Sequence, residues 1–144
     1  MIQRIQSIYM FLAAICFAAL WLPSLVLLKT ENPGEAYFSD SIFYANESML
    51  ILIGSGVSAI MALISVFLYK ERGMQIIVAA VSSLMHLLFC IGACFYNVFK
   101  YQKLAEFIPA NGMYFSMAGI ILVWLAVRAI RRDQDLVKSM DRLR

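Results

Sequence analysis

The chain has 144 residues, of which 62% are hydrophobic and 15% charged, with a formal net charge of +3. In an ordinary soluble domain only about 45–50% of the residues are apolar. Four windows, 5–28, 48–69, 73–99 and 107–127, contain no Asp, Glu, Lys or Arg, and each supplies the roughly 20 apolar residues that a transmembrane helix needs. None has the polar stripe of a helix in a soluble bundle. Composition therefore excludes a soluble protein and predicts an all-α, four-helix transmembrane bundle that forms a single domain over residues 1–144.

The predicted spans, in chain order, are residues 8–28, 49–69, 74–98 and 113–130. The apolar stretch of the first span is longer than the roughly 7–15 residues of a signal-peptide core, so we expect it to remain as a transmembrane helix. Only residues 70–73 connect the second span to the third, which makes these two helices antiparallel neighbours. No Gly or Pro follows Gly119. The fourth helix is therefore expected to continue past the membrane as a helical tail over residues 131–144.

The distribution of basic residues predicts the orientation of the bundle. Nine Lys or Arg residues lie at the N-terminus, in the 70–73 turn and from Arg128 onward, whereas the opposite side has only Lys29, Lys100 and Lys103. Because basic residues are enriched in the cytoplasmic segments of membrane proteins, we expect both termini in the cytoplasm.

The only histidine and two of the three cysteines occur in "MHLLFCIGAC" at residues 85–94. On a helix, His86, Cys90 and Cys94 share one face, and Ser82 and Ser83 extend that face by one turn. A polar side chain in hydrocarbon needs a partner, so this face is expected to point into the bundle.

The spacing on this face disfavours metal, haem and redox roles. Residues at i, i+4 and i+8 span about 12 Å along a helix, so all three side chains cannot hold one ion at about 2.0–2.3 Å, and only an adjacent pair could share a metal. A haem with two axial ligands would need its second ligand from a methionine or from a second copy of the chain. A disulfide catalyst needs a thiol pair at the membrane surface, and the sequence has no C-x-x-C. We therefore expect no metal, no cofactor and no catalytic residue, and interpret the face as a packing seam with inert thiols.

Two further patterns bear on packing and transport. Ala14-x-x-x-Ala18, "GSGVSA" at 54–59 and Gly119 would allow helices to approach closely, within one chain or in a homo-oligomer. No predicted span contains the intramembrane carboxylate through which small four-helix exporters couple to protons, so a proton relay would depend on His86 alone. The alternative function is a small transporter or ligand-binding bundle whose polar pocket is formed by Ser82, Ser83, His86 and Cys90.

The C-terminal tail is amphipathic. Leu136, Val137, Met140 and Leu143 fall on one face of the predicted helix. Five basic residues oppose three acidic residues and the terminal carboxylate between residues 131 and 144, and the resulting net charge of about +1 is too low for a tail that binds lipid or nucleic acid by charge. We therefore expect the tail to pack against another helix, within the protein or in a partner, and expect no nucleic-acid partner.

The opening "MIQRIQSIYMFLAA" and the closing "IRRDQDLVKSMDRLR", joined by four spans of these lengths, resemble a Bacteroidota family of small integral membrane proteins described as domain of unknown function 4293. The resemblance covers essentially the whole chain. It implies a four-helix protein of the inner membrane of a diderm bacterium, and it implies no activity, substrate or catalytic residue. The residues that match the family pattern are Gln3, Arg4, Gln6, Arg131, Arg132, Asp133, Leu136, Val137, Ser139, Asp141, Arg142 and Leu143.

Both matching ends are expected on the cytoplasmic side. We therefore expect a non-enzymatic accessory or assembly component of a bacterial inner membrane, surrounded by the lipid bilayer. It would dock to a membrane-protein partner, or to a second copy of itself, through its tail and its small-residue faces. The expected docking surface comprises Gln3, Arg4, Gln6, Arg131, Arg132, Asp133, Leu136, Val137, Met140, Asp141, Arg142 and Leu143.

Overall fold

The computed structural model describes residues 2–30, 39–101 and 107–141, and of residues 2–4, 101, 138 and 141 it describes the backbone alone. Within these ranges the chain forms four main helices. They are α1 (Ile2–Ala19), α2 (Met49–Phe67), α3 and α4 (Asn111–Asp141). In α3, Arg72–Met85, the π-helical His86–Gly92 and Ala93–Tyr101 follow one another without a break.

Three of these helices, α2, α3 and α4, are long and apolar enough to cross a membrane, and α1 contains a shorter apolar segment, Ile5–Ala19. The predicted four-helix architecture is confirmed. The helical continuation of the fourth span is also confirmed as far as Asp141. With 31 residues and a rise of about 1.5 Å per residue, α4 is roughly 46 Å long. It therefore exceeds the roughly 30 Å thickness of a bilayer core.

Helix α1 ends at Ala19, so the prediction of a helical first span was wrong for the residues from there to Leu28. Pro23 explains the early end, because proline has no N–H to donate to the Ala19 carbonyl and its ring would clash with that carbonyl in a continuing helix. The amide of Leu22 donates to the Ala19 carbonyl instead, at 2.9 Å. The chain turns there and leaves the helix axis.

A small antiparallel sheet follows this turn and was not predicted. Its central strand, β1 (Val26–Thr30), pairs with β2 (Ile42–Tyr44) on one side and with β3 (Phe107–Pro109) on the other. The side chain of Leu27 is buried beneath it. We call this end of the bundle the sheet end. The opposite end, where α1 and α3 begin and α4 extends, is called the terminal end.

The helices pack in the order expected of a bundle, with α1 against α2 and α4, and α3 against α2 and α4. One buried apolar cluster, which includes Leu20, Phe43 and Ile51, lies towards the sheet end, and a second, which includes Met10 and Phe17, lies between the helices. Large apolar side chains also cover the outside of the bundle. Since lipid tails are as apolar as leucine, this outer surface suits a bilayer. Examples of these outward side chains are Ile8, Ile60, Ile77, Leu88 and Ile121.

Two glycines allow close helix contacts within the chain. A Cβ atom added to Gly54 of α2 would lie 2.5 Å from the Cβ atom of Phe89 in α3, and one added to Gly119 of α4 would collide with the Phe17 ring of α1. Both glycines therefore serve packing seams inside one molecule. In the Ala14-x-x-x-Ala18 pair, Ala14 is buried and Ala18 is exposed.

Candidate functional site

His86 is the centre of the first candidate site. It begins the π-helical segment of α3, and its side chain is completely buried. Its ring stacks on Phe17 of α1, with the ring centroids 4.0 Å apart and an angle of 21° between the planes. Neither imidazole nitrogen has a hydrogen-bond partner among the described residues. Unpaired buried polar atoms cost free energy and π-helical segments occur frequently at functional sites, so both features distinguish this position from ordinary packing.

The neighbours of His86 on its own helix are buried as the spacing predicts. Ser82 is inaccessible and donates a hydrogen bond to the Ala79 carbonyl at 3.0 Å. Cys90 and Cys94 are each only 1% exposed. Across the interface, the buried Ser116 of α4 lies beside Cys90.

Ser83 does not join this group. It is half-buried, donates to the Ala80 carbonyl at 2.9 Å and borders a groove between α3 and α4. The reason is geometric, because one residue advances a helix by about 100°, which turns Ser83 away from the face that Ser82 and His86 share. The interior polar group is therefore Ser82, His86 and Cys90, extended by Cys94.

The chemistry available at this site is limited. In the described ranges, no three His, Cys, Asp or Glu side chains are grouped so that they could hold a metal ion, and Cys16, Cys90 and Cys94 are free thiols. The groups on hand are one imidazole, serine hydroxyls and thiols in apolar surroundings. Such a set can form hydrogen bonds with a ligand or exchange a proton.

The second candidate site is the terminal end, where two contacts brace α4. Atom Nη2 of Arg72, at the start of α3, lies 3.0 Å from Oδ2 of Asp133. On the other side, the buried Gln6 of α1 donates from Nε2 to the Ala129 carbonyl at 3.2 Å. Together these contacts tie α4 to both α1 and α3 at the point where its charged segment begins.

Past these contacts, α4 presents apolar side chains outwards. Leu136 and Met140, one turn apart on the helix, are 52% and 63% exposed. Val137 is half-buried. Arg132 and Asp135 line a shallow depression of about 380 Å³ together with Leu136. This segment therefore combines an exposed apolar face with flanking charges of both signs.

The structure reduces the predicted docking surface. Gln6 and Asp133 are used within the bundle, as described above. The side chains of Gln3, Arg4 and Asp141, and the whole of Arg142 and Leu143, lie outside the described residues. The predicted residues that remain at the described surface are Arg131, Arg132, Leu136, Val137 and Met140.

Two features of the sites were missed by sequence reasoning. Gln75 of α3 is 1% exposed, and neither atom of its side-chain amide has a hydrogen-bond partner among the described residues. The sequence did carry a signal for Gln75, because it is a large polar residue within the uncharged, mostly apolar window 73–99. The Arg72–Asp133 pair was signalled only by opposite charges at neighbouring helix ends on the same predicted side of the membrane.

The family model described as Domain of unknown function (DUF4293) matches residues 2–143. The chain belongs to this family. Among curated proteins and among solved structures, none is significantly similar to the chain. The DUF4293 match covers the four main helices, so the His86 site and the terminal end both lie within the family's domain.

Proposed function

We propose that this DUF4293 protein is a non-enzymatic accessory or assembly component of a bacterial inner membrane, and that its terminal end docks a helix of a membrane-protein partner in the cytoplasm. The observation that carries the proposal is the exposure of Leu136 and Met140 on a helix that is tied to the bundle through Asp133. An apolar face held in place and left uncovered is typical of an interaction site.

The orientation in this proposal rests on the charge distribution. The basic residues of the terminal end include Lys70, Arg72, Arg128, Arg131 and Arg132, whereas the sheet end has few. Because such an asymmetry favours the cytoplasmic side, the α4 extension would be available to cytoplasmic segments of other membrane proteins.

The character of the surface favours a protein helix as the occupant. Leu136 and Met140 occupy positions i and i+4, the spacing at which one helix anchors another through its apolar face. Their neighbours Arg132 and Asp135 carry opposite charges, which suits an amphipathic partner with charges of both signs along its edges. Since the extension is already helical, binding requires little ordering of this chain.

Co-purification with the native partner in mild detergent tests the proposal. We expect the double variant L136A/M140A to lose the partner, because truncating a fully buried Leu or Met costs about 2–5 kcal/mol. Ile121 of α4 is also exposed, at 58%, but it lies in the apolar part of the helix, so I121A is the matched control and should retain the partner. A photo-crosslinker in place of Met140 identifies the occupant directly. Retention of the partner by L136A/M140A, or crosslinking to a second copy of this chain alone, would contradict the proposal.

The unpaired imidazole of His86 favours a second candidate function, that of a small transporter or ligand-binding bundle. In this case His86 would exchange hydrogen bonds or a proton with a transient ligand. Liposomes containing the purified protein and a pH-sensitive dye test it. Proton flux in the wild type that disappears in H86F would support the second candidate, and equal flux in both would exclude His86 as a relay.

A further inference from the structure

A groove of about 600 Å³ runs along the outside of the bundle between α3 and α4. Ala80 of α3 forms one wall, and Ile120, Val123, Trp124 and Val127 of α4 contribute apolar surface. Because these residues belong to the apolar parts of both helices, this stretch of the groove would open to the hydrocarbon of a bilayer.

The same groove becomes basic towards the terminal end. Arg128, Arg131 and Arg132 line it there, and all three are exposed. The guanidinium carbon of Arg128 lies 5.5 Å from the centre of the Trp124 ring. In the described part of the chain none of these arginines forms an ion pair with a carboxylate, and the neighbouring Asp133 is paired with Arg72 instead.

Asp135 also lines this groove. It lies one turn beyond Arg131 along α4 and so farther from the apolar stretch than the arginines do. Positive charge is therefore concentrated locally at Arg128, Arg131 and Arg132, although the net charge of the tail is low. That charge lies where the apolar stretch of the groove ends.

We propose that this groove binds one anionic phospholipid of the surrounding leaflet. The lipid phosphate lies against Arg128 and Arg131, and an acyl chain follows the apolar walls towards Ile120. Arginine suits the phosphate because its planar guanidinium forms paired hydrogen bonds to phosphate oxygens. Basic pockets between transmembrane helices on the cytoplasmic side are known to recognise anionic headgroups. This inference is independent of the docking of a protein helix at Leu136 and Met140.

The dimensions agree with this occupant. Along α4, Ile120 lies about 12 Å from Arg128 at 1.5 Å per residue, and one leaflet occupies about half of a 30 Å hydrocarbon core. An acyl chain in the groove therefore reaches most of the way to the bilayer centre while its phosphate stays at the level of the arginines. Trp124 lies between the apolar and the basic stretch of the groove, which would place it near the membrane–water interface, where tryptophan is enriched.

Fluorescence quenching tests the site, since the chain has two tryptophans and Trp21→Phe leaves Trp124 alone. The full-length W21F protein is placed in phosphatidylcholine nanodiscs with a minor fraction of brominated phosphatidylglycerol, or with the same fraction of brominated phosphatidylcholine. We expect several-fold stronger quenching by the anionic lipid. In R128Q/R131Q this preference should be lost, because each arginine is worth about fivefold in the affinity for an anionic headgroup. R128K/R131K should keep part of the preference, because lysine binds phosphate as a point charge.

Lys70→Gln is the matched control, because Lys70 is exposed at the same end but does not line this groove. K70Q should keep the full preference. Equal quenching by the two brominated lipids, an unchanged preference in R128Q/R131Q, or the same loss in K70Q would each overturn the proposal. Native mass spectrometry of the wild-type protein gives a second reading without substitutions. Retention of one phosphatidylglycerol over phosphatidylcholine supports the site, and absence of any such preference overturns it.

Discussion

Arg72 and Asp133 form an ion pair, at 3.0 Å, between the first residue of α3 and the charged segment of α4. Their side chains are 24% and 13% exposed, so water screens this pair less than it screens an ion pair on an open surface. The contact ties the start of α3 to α4 at the point where α4 extends beyond the bundle. It also withdraws Asp133 from the neighbouring arginines, which leaves positive charge in the α3–α4 groove.

Replacing Asp133 by Asn should loosen the α4 extension, because Arg72 then keeps its charge without a partner. Exposed pairs contribute about 0–1 kcal/mol and broken buried pairs cost about 3–5 kcal/mol, so we expect an intermediate loss of about 1–3 kcal/mol. Hydrogen exchange of the amides of residues 131–141 measures it, with faster exchange expected in D133N. Asp135→Asn, at an exposed position, is the control and should exchange as the wild type does. Equal exchange in D133N and the wild type would show that the pair does not hold the extension.

The glycine seams predict a graded series of alanine variants. Gly54→Ala should be the most destabilising, by about 1–3 kcal/mol as in other overpacked cores, because the obstructing atoms belong to the Cβ and backbone of Phe89. Gly119→Ala should also be destabilising, because the Phe17 ring that the new Cβ atom would meet is buried and stacked on His86. A Cβ atom added to Gly73 would have no neighbour within 4 Å, so Gly73→Ala should leave the stability unchanged. Thermal unfolding in detergent gives the ranking, and a neutral Gly54→Ala would show that α2 and α3 are farther apart than described.

Substitution of His86 separates packing from polarity. His86→Phe preserves the ring stacked on Phe17 and removes two nitrogens that lack described partners. Since an unpaired buried polar group costs about 1–3 kcal/mol, the variant should be at least as stable as the wild type. His86→Ala should lose about 2–5 kcal/mol through the cavity it leaves. If chemical or thermal unfolding shows that Phe is as damaging as Ala, the imidazole must form a hydrogen bond that holds the bundle together.

The helices α2, α3 and α4 could be predicted because each apolar window exceeds the length of a strand and lacks a polar stripe. Pro23 was a local signal for the end of α1, but the strand that follows it could not be placed in the same way. An apolar run such as residues 25–28 suits a strand or a helix equally, and the pairing of Val26 with Tyr44 and of Leu28 with Pro109 decides between them. Those partners are distant in sequence, so periodicity within the run carries no information about them. The π-helical segment His86–Gly92 has no spacing of apolar and polar residues that distinguishes it from the α-helix on either side.

The candidate sites were predictable to the extent that helical spacing controls them. The inward face of Ser82, His86 and Cys90 follows from their positions on one helix. The exposure of Leu136 and Met140 depends on which neighbouring elements reach the end of α4, and amphipathic spacing cannot supply that information. The positive charge of the groove between α3 and α4 depends in addition on the pairing of Asp133 with Arg72 of another helix. The net charge of the tail does not reveal this pairing.

Reporter fusions test most directly whether four helices cross the membrane with the terminal end in the cytoplasm. The crossing that most needs a test is that of α1, because its 18 residues form a helix about 27 Å long, whereas the hydrocarbon core of a bilayer is roughly 30 Å thick. Alkaline phosphatase, active only outside the cytoplasm, and green fluorescent protein, fluorescent inside it, are fused in parallel after Asp40, after Arg72 and at the C-terminus. We expect phosphatase activity after Asp40 alone and fluorescence at the other two positions. Phosphatase activity after Arg72 or at the C-terminus, or its absence after Asp40, would contradict the topology.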